Sequence, residues 1–273
     1  MQISSFTTKG MVRHNNEDSC LVIPPWSSVA ISKGAALLAV ADGMGGQNAG
    51  EVASGLAVKN VADWFRAASF ENFSPQLLED MFASVNAAVW NHSQEHPETS
   101  GMGTTMTMVL FHGSQALVGH IGDSRLYRLR DQKLTQITND HSLVGEQVRM
   151  GKHSPEAARV HPTRHILSRV MGSRQFVVPD IFATELQPGD VLLLCSDGLS
   201  GMIEDQQLEK LLASSSVPQA AKTLVTAANR AGGKDNSTVV VARIEQLPVS
   251  FPGRFSLERL TKTIFSFGNA GLV

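Results

Sequence analysis

Ala35-Ala36-Leu37-Leu38-Ala39-Val40-Ala41 runs straight into Asp42-Gly43-Met44-Gly45-Gly46. A short unbroken apolar run that stops at a glycine-rich turn predicts a strand buried on both faces, and here the turn opens on a carboxylate. Helical spacing follows. Val52, Leu56, Val61, Trp64 and Phe65 recur along 49–68, and Leu77, Leu78, Met81, Val85 and Val89 along 75–94. Upstream, 3–8 and 19–23 read as strands; downstream, 104–111, 115–121 and 125–130 read as a β-meander with a turn at His112-Gly113-Ser114. Strand signals return at 177–185, 191–195 and 237–244, the last after helical stretches at 206–213 and 218–231. Strands on both sides of an internal helical pair, without regular alternation, predict an α+β domain in which helices cover antiparallel sheets.

Residues 142–174 are more polar and irregular, and read as an insertion or lid over a site. Pro248 and Pro252 open a tail, 247–273, which sets the expected catalytic domain at 1–246; the tail stripe Phe255, Leu260, Ile264 and Phe267 is expected to pack back on the domain. The 273 residues are 42% hydrophobic with a formal net charge of −2, enough for a full core and no general attraction to nucleic acid or anionic membrane. No apolar run approaches the ~18 residues of a membrane helix, and no basic-then-apolar leader opens the chain. Cys20 and Cys195 sit in apolar runs and read as buried thiols of a reducing compartment. The expectation is a cytoplasmic protein with no membrane span and no nucleic-acid partner.

The acids are placed with more purpose than their number suggests. Asp42-Gly43, Asp123-Ser124, Asp197-Gly198 and Asp235-Asn236 all stand where an apolar strand ends or begins, and Glu17-Asp18 precedes another. Asp-Gly is a common turn for backbone reasons alone, so each pair by itself says little. Several such ends brought together would repel unless a cation lay between them. Oxygen donors suit Mg²⁺ or Mn²⁺ better than Zn²⁺, and two such ions can activate a water and clamp a phosphoryl group.

Taken in order, Arg13-x-x-Asn16-Glu17-Asp18, Asp42-Gly43-Met44-Gly45-Gly46, Gly103-Thr104-Thr105, Gly122-Asp123-Ser124-Arg125, Ser196-Asp197-Gly198-Leu199 and Asp235-Asn236-Ser237-Thr238 resemble the bacterial branch of the metal-dependent protein phosphatase 2C family. The resemblance runs from about residue 1 to 245. It implies a central antiparallel β-sandwich flanked by pairs of helices, with Mn²⁺ or Mg²⁺ at one end and 142–174 as the family's flap. It makes Asp42 the bridge between two ions, with Asp197 and Asp235 on the first and Glu17 and the Gly43 carbonyl on the second. Asp18 would hold metal-bound water, Asn236 would orient Asp235, and a third, weaker ion would use Asp123 and Asp197. Arg13 becomes the clamp on the substrate phosphate, a role for which a planar guanidinium is suited.

The implied reaction is direct hydrolysis of phosphoserine or phosphothreonine by a metal-activated water, without a phosphoenzyme. Phosphorylated proteins are then the substrates, and a Ser/Thr kinase acting on them is the natural partner. No Cys-x5-Arg signature accompanies either cysteine, which argues against a cysteine nucleophile. An inactive binding module of the same fold, a hydrolase of small phosphate esters and a Ca²⁺-stabilised domain are the alternatives. Many family members carry a histidine at or just after the Asp-Gly turn, where this chain has Met44 and Gln47. That leaves a metal-bound water or His14 to protonate the leaving group. His141 and His161 read as solvated loop residues, Arg125 as a structural partner for an acid, and Gly103-Thr104-Thr105 as a packing point beneath the site.

Overall fold

The computed structural model describes residues 1–46 and 49–246. The apolar run that ends at Asp42 lies in strand β3 (Ala35–Met44), and Leu37 through Ala41 have no exposed surface. Its alternate residues serve different layers, as a strand's two-residue period requires. Leu37, Ala39 and Ala41 pack with Phe65, Leu78 and Phe82 of helices α2 (Ala49–Ala67) and α3 (Pro75–Glu95). Leu38 and Val40 join Leu126, Leu194 and Val240 between two sheets.

The first sheet contains β2 (Asp18–Ile23), β3, β5 (Met106–His112), β6 (Gln115–Ile121) and β9 (Asp180–Thr184) in that order, with the short β4 (Gly103–Thr104) paired to β3. The second runs β1 (Gln2–Thr8), β11 (Ser237–Arg243), β10 (Val191–Cys195), β7 (Arg125–Arg130) and β8 (Lys133–Gln136). Each pairing between these strands is antiparallel. The outer face of the second sheet presents Tyr127, Leu193, Val239 and Val241 to α7 (Asp205–Ser214) and α8 (Val217–Arg230). In α8 the buried residues Val217, Ala220, Ala221, Leu224, Val225 and Ala228 keep the three- and four-residue spacing of one helical face. The layers are therefore helix, sheet, sheet, helix, the α+β sandwich expected. Among the described residues no helix is long and apolar enough to cross a membrane.

The expected β-meander is corrected at its third strand. β5 and β6 pair as expected, but β7 pairs with β10 and β8 in the other sheet. Between β6 and β7 the chain turns through Gly122, whose φ of +105° favours a residue without Cβ. That crossing carries Asp123 from one sheet to the next at the same end as Asp42.

The segment 142–174 holds two short helices, α4 (Leu143–Arg149) and α5 (Pro155–Arg159); the bridge Ser142–Leu167 closes it on itself, and the bridge Thr104–Met171 ties it to the frame. Helix α1 (Ser28–Lys33) has no counterpart in the sequence pattern; Ala30 is its one buried residue, so it carries no periodic signal. The tail stripe and Gln47 lie outside the described residues.

Candidate metal centre

The β2–β3 register sets Asp18 directly opposite Asp42. Like charges facing each other across an antiparallel pair destabilise it, so the pairing calls for a compensating cation. The other acids arrive through the second sheet. Cys195 pairs with Val239, which places Asp197, the first residue of the short α6 (Asp197–Ser200), beside the Asp235-Asn236 turn that leads into β11.

Arg13, Glu17, Asp42, Gly43, Asp123, Asp197, Asp235 and Asn236 line one cavity of about 510 Å³. Asp18 lies behind it, buried, with one carboxylate oxygen accepting from Ser196 Oγ at 2.7 Å. Its other oxygen, Oδ1, is buried without a hydrogen-bond partner.

The electrostatics are those of a crowded acidic centre. Burial pushes Asp42 and Asp123 well above the usual carboxylate range; Asp18 and then Asp197 add repulsion at the first, and Asp197 at the second. Burial likewise raises Asp18 to about 7, although Ser196 and Thr238 stabilise its charge. Asp197 is raised by burial and then by Asp235, while at Glu17 burial outweighs the favourable field of Arg13. A divalent cation among them would relieve this repulsion.

The residues fit a hard divalent ion. The donors are oxygens, one of them an orphaned buried carboxylate oxygen. At Gly43, which lines the cavity, an added Cβ would collide with the Gly50 and Glu17 carbonyls, so only glycine fits there. Among the described residues, no three His, Cys, Asp or Glu side chains are already closed around one point.

Arg13 donates through Nη2 to Asp235 at 2.8 Å and stands at the cavity edge, largely exposed. Asn236 does more than the sequence indicated. Its Oδ1 accepts from the Glu17 amide at 2.8 Å, and its Nδ2 donates to the carbonyls of Asn15 and Lys9. Its side chain therefore organises the β1–β2 loop that carries Glu17, while its backbone N–H donates to Asp235 Oδ1 at 2.9 Å.

Arg125 makes the expected structural pair, a fork on Asp140 at 2.9 and 2.7 Å. Thr104 and Thr105 bond the main chain of Asp42 from below. The histidines differ from expectation. His14 is exposed and off the cavity wall, whereas His165 lines it, with Nδ1 3.9 Å from Asp197 Oδ2. His165 follows an arginine in a segment without periodicity, so nothing local marks it. His141 is fully buried, not solvated.

The family model for protein phosphatase 2C matches residues 13–234. The chain is 40% identical over 249 residues to the serine/threonine protein phosphatase PstP of Mycobacterium tuberculosis, an alignment covering 89% of this chain and 45% of that relative. It therefore spans less than half of that protein's length. It is 37% identical over 239 residues to the serine/threonine phosphatase Stp of Listeria monocytogenes, covering 86% of this chain and 92% of that one. Among solved structures, the M. tuberculosis phosphatase PstP/Ppp superposes with a TM-score of 0.80 at 39% identity, covering 90% of this chain and 99% of the other. The catalytic domain of PstP in complex with two manganese ions superposes at 0.77 and 36% identity, covering 90% and 98%. With the family model, the sandwich and the acidic strand ends in agreement, this chain belongs to the protein phosphatase 2C family.

Proposed function

We propose that this chain hydrolyses phosphoserine and phosphothreonine esters of proteins with the help of two divalent ions, Mn²⁺ or Mg²⁺, and a third held more weakly. The observation that carries the reading is the convergence of Glu17, Asp42, Asp123, Asp197 and Asp235, from the ends of strands in both sheets, on one cavity edged by Arg13. The names of the mycobacterial and Listeria relatives support it, as does the manganese of the PstP catalytic domain. Asp42 would lie between two ions, with Asp197 and Asp235 on one side and Glu17 and the Gly43 carbonyl on the other. Asp18 would support them from behind, and Asp123 with Asp197 would hold the third. When bound, such ions supply a water that is nucleophilic at neutral pH and positive charge opposite the phosphoryl oxygens.

The chain's own groups bind and orient the ester. The Arg13 fork has further donors beyond the one given to Asp235, and suits two phosphoryl oxygens at once. Asn236 holds the loop that presents Glu17. Residues 142–174 contribute Arg164, His165 and Leu167 to the cavity wall, as a lid over a domain of residues 1–246 would. The substrates would be products of a Ser/Thr kinase, and two free thiols, Cys20 and Cys195, fit a reducing, cytoplasmic compartment.

The test is phosphate release from a phosphothreonine peptide with Mn²⁺, with Mg²⁺ or with chelator. Turnover that requires metal is expected. Turnover of nucleotides but not the peptide, or metal-independent turnover, overturns the reading.

Two variants divide the labour further. Asp123→Asn should leave the two tight Mn²⁺ sites intact by calorimetry while turnover falls about tenfold, the low end of what a displaced metal partner costs; loss of a tight site would contradict the assignment. His14→Ala should slow a phosphothreonine peptide and an aryl phosphate about equally, if at all, because His14 does not reach the cavity. A loss on the peptide alone of about 10²-fold, the scale of a general acid, would return that role to it.

A further inference from the structure

His141 is a buried histidine that the proposed reaction does not use, and one of its bonds assigns its tautomer. The Gly122 amide donates to its Nδ1 at 3.2 Å. A backbone N–H can only donate, so Nδ1 is the unprotonated nitrogen and the ring proton sits on Nε2. Nε2 in turn donates to Asp180 Oδ2 at 3.0 Å and has Arg169 Nη1, itself a donor, 3.3 Å away; that Nη1 donates to the other Asp180 oxygen at the shorter 2.7 Å. The His141 backbone N–H donates to the Gly122 carbonyl at 2.7 Å. One residue thus grips Gly122 at both its N–H and its C=O. Burial opposes charge on Asp180, yet the bonds from His141 and Arg169 hold its pKa below the usual range.

What is gripped matters more than the grip. Gly122 immediately precedes Asp123, a carboxylate whose charge is disfavoured by burial and by Asp197. On its other side Gly122 packs so closely on Thr105 that an added Cβ would overlap that side chain. Thr105 Oγ1 accepts from the Asp42 amide at 2.9 Å, and the Thr105 amide donates to the Asp42 carbonyl at 2.8 Å. Arg169 belongs to the returning end of 142–174, where Ser168 N–H also donates to the His141 carbonyl at 2.8 Å.

We propose that Asp180, His141 and Arg169 form a positioning relay that holds the Gly122-Asp123 turn against the repulsion of its acidic neighbours and ties it to the end of segment 142–174. All three are positioning residues, since none lines the cavity. The inference rests on the metal-centre reading above, and a core histidine serving only stability is its rival.

Calorimetric binding of Mn²⁺ to the full chain separates the two, with melting in chelator and peptide turnover measured alongside. Asp180→Asn and Arg169→Met should weaken the weakest Mn²⁺ site about tenfold or more, the usual scale for partners that orient metal ligands. The tight sites, the peptide KM and the melting temperature in chelator should stay near wild type while kcat falls. His141→Gln, whose amide can accept from Gly122 and donate to Asp180, should retain most of the Mn²⁺ affinity that His141→Leu loses. If Asp180→Asn and Arg169→Met bind Mn²⁺ at every site as the wild type does and only melt earlier, the relay is wrong and His141 is a stability residue. Should His141→Leu fail to fold, those two partly exposed positions still decide. A wild type that bound Mn²⁺ but turned over no phosphopeptide would defeat the proposed activity, and the Mn²⁺ comparison would still decide for or against the relay.

Discussion

Asp197→Asn is expected to lower turnover of a phosphothreonine peptide by at least about 10²-fold, or ~2.7 kcal/mol of transition-state stabilisation. Asparagine keeps the shape of the side chain and one carbonyl oxygen, and removes only the charge. Asp197 stands at the centre of the repulsions: it raises Asp42 and Asp123, and is itself raised by burial and by Asp235. A position so disfavoured for a lone carboxylate is where a divalent ion gains most, and where a lost charge costs most. The measurement is kcat at saturating Mn²⁺, with calorimetry on the same preparation and a melting curve to establish folding. A folded variant retaining more than about a tenth of the wild-type rate, a loss below ~1.4 kcal/mol, would remove Asp197 from the centre.

The second large effect concerns stability without metal. A carboxylate whose pKa is raised on folding binds protons more tightly in the native state, so its contribution is present at low pH and is lost as pH rises through the folded value. Asp18 moves from 3.8 to about 7, chiefly through burial, and Asp42 and Asp123 also move well up. In chelator these acids should therefore destabilise the protein progressively between about pH 4 and pH 7. A single group moved as far as Asp18 is worth at most on the order of 4 kcal/mol over that window, at 1.36 kcal/mol per unit. His120 has the opposite sign: burial lowers it to about 4, so it favours the native state increasingly as pH rises over part of the window.

The comparison of Asp42→Asn with wild type cancels His120 and isolates the acidic centre. In chelator the variant should melt above wild type at pH 7, with the gap closing toward pH 4, while its turnover is lost. Mn²⁺ should reverse the ranking, because it stabilises only the protein that binds it. A variant that melted below wild type at pH 7 in chelator would mean that the carboxylates do not repel as their arrangement requires.

Segment by segment, local pattern carried much of the fold. The run 35–41 announced a two-sided strand because every residue in it is apolar, and 49–68 and 75–94 announced helices because their apolar faces recur at helical spacing. Both helices form, but the face that α2 buries is Ala53, Ala57, Val61 and Phe65, while Val52 stays exposed, because close packing on the strands favours small residues that carry little apolar signal. Acids at strand ends were equally visible, since a charge beside an apolar run is anomalous wherever the chain goes next.

Only the tertiary structure decided what meets what. Residues 125–130 read as a third meander strand, and strand character was all that the local pattern held. Their pairing with β10, some sixty residues on, follows from the turn at Gly122 and from the second sheet's need for a partner. His141 and His165 look alike in a polar segment, yet one is sealed against Gly122 and Asp180 and the other opens on the acids. Asn236 sits next to Asp235 in sequence but spends its side chain on a loop more than two hundred residues away. Propensity and period are properties of neighbouring residues, whereas register, sheet choice and hydrogen-bond partners are set by residues distant in sequence, and those contacts exist only once the sandwich has closed.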